Sequence, residues 1–188
     1  CMNTGKLCVF TNTGKMHQVK VLDLPFGKFR DKGIPIDNVS NYDSTKEQIV
    51  YLCDAEQLRF AKLLFATKQG MLKKVGGTEF QVSKRTIAAT KLSEEDEVSA
   101  VDVITDNLQV VLQSKDGYFL RFPASEVPEK KKGAVGVRGI RLKKKDELFK
   151  VHLFEEGMEC KAAYGEKEIV LNRLKTAKRD GMGTKPRG

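Results

Sequence analysis

The chain has 188 residues, 40% hydrophobic and 31% charged, which is enough apolar material to bury a core as one domain and too much for a disordered segment. Lys and Arg outnumber Asp and Glu by 34 to 25, for a formal charge of +9. That balance points to a polyanionic partner, with nucleic acid ahead of an anionic membrane surface.

At the start, CMNTGKLCVF has no basic segment followed by an apolar core, so export is not expected, and nowhere does an apolar run approach the roughly 18 residues of a membrane span. A chain beginning with Cys1 in place of Met is expected to be a piece of a longer polypeptide. The first element is a hairpin, LCVFTNTGKMHQV at 7–19, and it returns without a gap as LLFATKQGMLKKV at 63–75 and VVLQSKDGYFLRF at 110–122. Each copy runs apolar strand, hydroxyl residue (Thr11, Thr67, Ser114), two polar residues, glycine (Gly14, Gly70, Gly117), second strand. Glycine supplies the positive φ that a short hairpin turn needs. Behind each hairpin lie a basic loop, an acidic turn and a further apolar strand. AATKLSEEDEV at 88–98 aligns with RGIRLKKKDEL at 138–148, and more loosely with NVSNYDSTKEQ at 38–48. The strands that follow are IVYL at 49–52, VSAVDVI at 98–104 and LFKVHLF at 148–154.

Four strands in about fifty residues is the cadence of a propeller blade and not of a helical solenoid. The sequence predicts an all-β domain of about four blades over 1–188, in units of approximately 1–52, 53–103, 104–152 and 153–188. The fourth is expected to be partial: it keeps an apolar strand at Ile169–Leu171 and loses the glycine hairpin. No helix longer than three turns is expected within 60–155.

Other chemistry finds little support. Cys1, Cys8, Cys53 and Cys160 have no C-x-x-C spacing and His17 and His152 stand apart from any ligand set, so no metal site is expected. GAVGVRG spaces its glycines as neither a dinucleotide fingerprint nor a P-loop, and no helical pattern follows it. Those glycines are expected to relieve crowding where a strand enters a blade and to let backbone approach a phosphate. The tail DGMGTKPRG is too close to the end to be a phosphate loop. No nucleophile has a paired base, and with 7% aromatic residues and no Trp, Tyr118 and Phe119 are expected in the core and not stacked on bases.

The hairpin LFATKQGMLKKV, the basic loop and GVRGIRLKKKDEL together resemble the repeated unit in the C-terminal domain of bacterial type IIA topoisomerase A subunits, the DNA-wrapping part of gyrase and topoisomerase IV. Gly136, Val137, Gly139, Ile140 and Leu142 match that unit's G-V-x-G-I-x-L element. The resemblance implies a β-pinwheel whose basic outer rim bends duplex DNA, in a cytoplasmic, nucleoid-associated enzyme. It implies as partners the rest of the A subunit, together with an ATPase B subunit, and no membrane. No cofactor is expected in this piece; ATP and Mg2+ would be bound elsewhere in the parent, as would the nucleophilic tyrosine. Gyrase A subunits are expected to carry a box Q-[RK]-R-G-G-[RK]-G. KKKGAVG at 130–136 fits it at Lys131, Lys132, Gly133 and Gly136 but has Lys130, Ala134 and Val135 at the other positions, which favours topoisomerase IV or a divergent gyrase-like paralogue, with gyrase as the alternative.

Phosphate neutralisation along a path needs many cations, not one pocket. The candidates are Lys28, Arg30 and Lys32; Lys73, Lys74, Lys84 and Arg85; Arg121; Lys130, Lys131 and Lys132; and Arg138 and Arg141. Lys143–Lys145 are weaker, since the matching unit has Ser93, Glu94 and Glu95 there. The competing class is a propeller-like scaffold for acidic proteins.

Overall fold

A computed structural model describes Met2 and residues 4–186. Cys1, and the expectation attached to it, lies outside the described residues, as do the last two residues of the tail. Thirteen strands appear among the described residues: β1 (Lys6–Thr11), β2 (Lys15–Lys20), β3 (Ile49–Asp54), β4 (Lys62–Thr67), β5 (Met71–Gly76), β6 (Thr86–Ala88), β7 (Val98–Val103), β8 (Leu108–Ser114), β9 (Phe119–Pro123), β10 (Val137–Arg138), β11 (Leu148–Glu155), β12 (Lys161–Tyr164) and β13 (Lys167–Val170). The one α-helix among these residues, α1 (Ala55–Leu58), is a single turn capped by the Asp54 side chain. No helix among them is long and apolar enough to cross a membrane.

The repeated hairpins are built alike. Gly14, Gly70 and Gly117 have φ of +78°, +81° and +81°, and their amides donate to the carbonyls of Thr11, Thr67 and Ser114 at 3.1, 2.9 and 3.0 Å. The repeated hydroxyl has its own task in two copies, where Thr67 Oγ1 accepts from the Met71 amide and Ser114 Oγ from the Tyr118 amide, each at 3.2 Å. The acidic turn then caps the hairpin of its own unit. Asp96 Oδ1 accepts from the Gln69 amide and Asp146 Oδ1 from the Asp116 amide, both at 3.0 Å.

The fourth unit keeps its hairpin, contrary to expectation. β12 and β13 pair antiparallel around Gly165, at φ +61°. Its turn is shorter than in the other copies, which hides it from a gap-free alignment.

The first three blades are each completed by the next repeat, and the fourth is the two-stranded β12-β13 pair. The first sheet runs β3-β1-β2-β6 and the second β7-β4-β5-β10, so β6 and β10, which follow the second and third hairpins, close the blades before their own. The third sheet, β11-β8-β9, is closed by the tail, where Phe119 and Thr184 exchange backbone hydrogen bonds of 2.8 and 2.9 Å. Residues of DGMGTKPRG are thus a blade edge. The corresponding stretch of the first repeat, 24–35, has no earlier blade to cross to among the described residues, and it leaves Leu24, Phe26, Phe29 and Ile34 exposed.

The core is a chain of three clusters, each shared between neighbouring blades as in a repeat array. One centres on Phe10, Phe65 and Phe80, with ring centroids 5.3 to 6.0 Å apart. The next joins Leu64 and Leu72 to Leu112, Phe122 and Ile140, and the last joins Val111 and Phe119 to Ile169 and Leu171.

Candidate nucleic-acid interface

In every unit a 3-10 turn follows the second hairpin strand: Val21–Asp23, Gly77–Phe80, Ala124–Glu126 and Leu171–Arg173. Seven residues after the start of each comes a lysine, Lys28, Lys84, Lys131 and Lys178, and all four are exposed. The chain therefore presents one lysine per unit at a matching place. Lys84 and Lys131 line one open depression, together with Lys132, Gly133, Ala134, Thr86 and Glu79.

Sequence reasoning missed Lys178 and its exposed neighbour Lys175, because the fourth hairpin does not align with the other three without a gap. The signal was present, since Lys178 follows Lys131 by the same 47 residues that separate Lys131 from Lys84.

The other candidates on the connections are exposed or half-buried. Arg30 and Lys32 follow Lys28 on the exposed first connection, Arg30 within a turn closed by the Lys28 amide on Asp31 Oδ2 at 2.6 Å. Arg85 is exposed beside Lys84, 3.6 Å from Asp23, and Lys130 is half-buried. Arg138 and Arg141 are exposed but lean on Asp180. Arg138 pairs with both of its carboxylate oxygens, and Arg141 Nε lies 4.0 Å away, so part of their charge is already balanced.

Three candidates are corrected. Lys73, Lys74 and Arg121 are buried, at 1%, 5% and 7% exposure, and their charges are spent inside the protein. Lys74 pairs with Asp106 and reaches the Ala124 carbonyl. Arg121 donates to Gln109 Oε1 at 3.2 Å and, through Nη1, to the carbonyls of Asn172 at 2.7 Å and Leu174 at 3.2 Å. Gln18 holds the same repeat position in the first hairpin and donates to the Val82 carbonyl at 2.9 Å. In each case a side chain from one blade pins the connection that follows the next hairpin. These are clamps between blades and do not face a ligand.

Lys73 is the extreme case. Its Nζ donates to the carbonyls of Lys131 at 3.1 Å, Lys132 at 2.9 Å and Ala134 at 2.6 Å, inside the basic loop. Burial pushes its pKa down to about 8, with the Glu79 charge opposing and the Lys130 charge adding to the shift.

The loop's glycines divide into two kinds. A Cβ on Gly136 would lie 2.6 Å from the Leu72 carbonyl oxygen, and one on Gly139 2.4 Å from Leu72 Cδ1, so both are required where the segment crosses β5. A Cβ on Gly133 would meet nothing within 4 Å.

Among the described residues no group of three or more His, Cys, Asp or Glu could hold a metal ion. His17 is instead buried between Glu47, at 2.7 Å, and Thr86, at 3.0 Å. The free thiols of Cys8, Cys53 and Cys160 are buried or half-buried.

An all-β array of interlocked antiparallel sheets, two of them four-stranded, with a lysine repeated on its exterior defines a pinwheel-type domain. The chain belongs to the family of C-terminal domains of type IIA topoisomerase A subunits; a family model described as "DNA gyrase C-terminal domain, beta-propeller" matches residues 61–105 and 109–155. It is 33% identical over 186 residues to the DNA gyrase A subunit of Lawsonia intracellularis, covering 94% of this chain and 22% of that one. To the DNA topoisomerase 4 A subunit of Bacillus subtilis it is 32% identical over 145 residues, covering 76% and 18%. The chain thus spans about a fifth of the length of these relatives. Its fold is similar to the C-terminal domain of DNA topoisomerase IV, with a TM-score of 0.88 and 25% identity over 97% of this chain and 58% of that one. The E. coli ParC C-terminal domain superposes with a TM-score of 0.81 at 20% identity, over 100% and 79%.

Proposed function

We propose that this chain binds duplex DNA along its outer edge and bends it, presenting the duplex to the strand-passage domains of a type II topoisomerase. The observation that carries this reading is the series Lys28, Lys84, Lys131 and Lys178, one exposed cation at the same place in each unit. A path of single charges spaced by a structural repeat suits a phosphate backbone, which is itself a repeat of single charges. It does not suit a compact ligand. The parent would contribute the ATP- and Mg2+-dependent steps and a B-subunit partner from domains beyond this chain, in the cytoplasm where its DNA lies.

Between the two paralogues we favour topoisomerase IV. In KKKGAVG, Lys130, Ala134 and Val135 depart from the box expected of gyrase, and Val135 removes one of its cations. Gyrase is the second reading, supported by the identity to the Lawsonia protein.

Replacing Lys28, Lys84, Lys131 and Lys178 together with alanine should weaken binding about equally for unrelated duplexes and lower the log–log salt slope by roughly four, about one per lost phosphate contact. All four side chains are exposed, so stability should change by no more than about 0.5 kcal/mol per site. Fluorescence anisotropy across a salt series reads the slope and thermal unfolding reads the stability. No duplex binding by the unaltered chain at low salt would favour the acidic-protein scaffold instead.

A further inference from the structure

The basic loop has its carbonyls turned inward. All described peptide bonds are trans, and in a trans peptide the carbonyl and the next amide N–H point in opposite directions. Because the carbonyls of Lys131, Lys132 and Ala134 converge on Lys73 Nζ, the N–H groups of Lys132, Gly133 and Val135 face away from it. Glu79 Oε2 takes the Lys132 amide at 2.9 Å. The amides of Gly133 and Val135 donate to no backbone or side-chain acceptor among the described residues. Gly133 is open to solvent on the side where a Cβ would stand, and it shares its depression with Lys84, Lys131 and Lys132. Outward amides with cationic side chains around them are the ingredients of an anion-binding concavity.

We propose that the Gly133 and Val135 amides, with the side chains of Lys84, Lys131 and Lys132, form a discrete site for one phosphate group of the nucleic-acid backbone, and that Lys73 is its positioning residue. Lys73 never touches the ligand. Its ammonium holds three carbonyls inward and thereby aims the amides outward. Glu79 lines the same depression; its carboxylate is occupied by the Lys132 amide, and its charge is partly balanced by Lys73 beneath the loop. A neutral Lys73 would have two N–H donors for three carbonyls and would turn its lone pair towards one of them. The site should then loosen as pH rises past about 8. Glu79 opposes that loss of the proton and Lys130 promotes it.

The site rests on the DNA reading for its ligand and on the loop geometry for its positioning residue, and the test separates the two. Amide resonances of the intact chain are followed by NMR while a duplex of roughly 20 base pairs, or inorganic phosphate as the minimal probe, is added. With either ligand the Gly133 and Val135 resonances should shift downfield, and duplex affinity should fall several-fold from about pH 7 to about pH 9.5. Lys73→Met should lose the amide shifts, bind duplex roughly tenfold more weakly or worse, and show no such pH dependence. Lys84→Ala, an exposed change, should weaken phosphate binding while leaving the loop amides at their free positions, so a failure of Lys73→Met to fold would not remove the test. Stationary Gly133 and Val135 resonances at saturating duplex would overturn the site. Faster hydrogen exchange at those two amides above about pH 8 without DNA is the positioning result, and unchanged exchange there would overturn Lys73's role even where duplex binds. Absence of any duplex binding would overturn the DNA reading and, with it, the ligand.

Discussion

Between about 50 mM and about 200 mM monovalent salt, the affinity of this chain for duplex DNA should fall by roughly three to five decades. The size of the effect follows from which cations the fold leaves available. Lys73, Lys74 and Arg121 are buried and committed to internal partners, and Arg138 is paired with Asp180. Lys28, Arg30, Lys32, Lys84, Lys130, Lys131 and Lys132 remain on the outer connections with no ion pair to an acidic side chain among the described residues, and Lys175 and Lys178 join them. Contact by about six to ten of these would release as many condensed counterions, which gives the stated range. Each phosphate contact positions the duplex without reading its bases, so the slope should be nearly the same for unrelated sequences. A flat salt response would rule out an electrostatic rim.

The second large effect concerns stability. Gly77→Ala should destabilise the chain by on the order of 3 kcal/mol, lowering Tm by about 6–12 °C for a protein of this size. Gly77 opens the 3-10 turn of the second unit directly beneath the end of α1. An added Cβ would stand 1.7 Å from the Leu58 carbonyl oxygen and 2.8 Å from that of Ala61. Both obstacles are backbone, and the Gly77 amide is tied to the Ala61 carbonyl at 2.8 Å, so no side chain can swing aside. The matching positions carry Val21, Ala124 and Leu171. Glycine is therefore demanded by α1 and not by the repeat. Gly133→Ala, which meets nothing, is the natural control and should shift stability by no more than about 0.5 kcal/mol. Calorimetry of the two variants checks the contrast.

Much of the fold was legible because its punctuation is local. A turn that needs positive φ selects glycine, and three such turns at Gly14, Gly70 and Gly117 revealed the hairpins and their repeat. Strand exchange between blades was not legible. β6 has three residues and β10 two, too short for any hydrophobic period to show. The same exchange explains why the basic residues of the second hairpin strand were misplaced. An alternating strand with one wet face would have put Lys73 or Lys74 in solvent, but β5 is packed on both faces and covered along its edge by the next connection, so its four central residues are all buried. Charge in such a strand must be satisfied internally, and carbonyls of the adjoining connections supply the acceptors. The exposed part of the candidate interface was legible through its lysines alone, since long flexible cations on glycine- and proline-containing connections have nowhere to go but outward.

The central claim is that the repeated cations lie along a curved path, and DNA bending tests it most directly. Energy transfer between dyes at the two ends of a duplex of about 60 base pairs, shorter than the DNA persistence length and so nearly straight when free, should be measured as this chain is added at low salt. Transfer is predicted to rise with saturation of binding, and to fall back when salt dissociates the complex. Saturated binding with end-to-end transfer unchanged from free DNA would mean that the duplex lies straight on the protein, and would contradict the account.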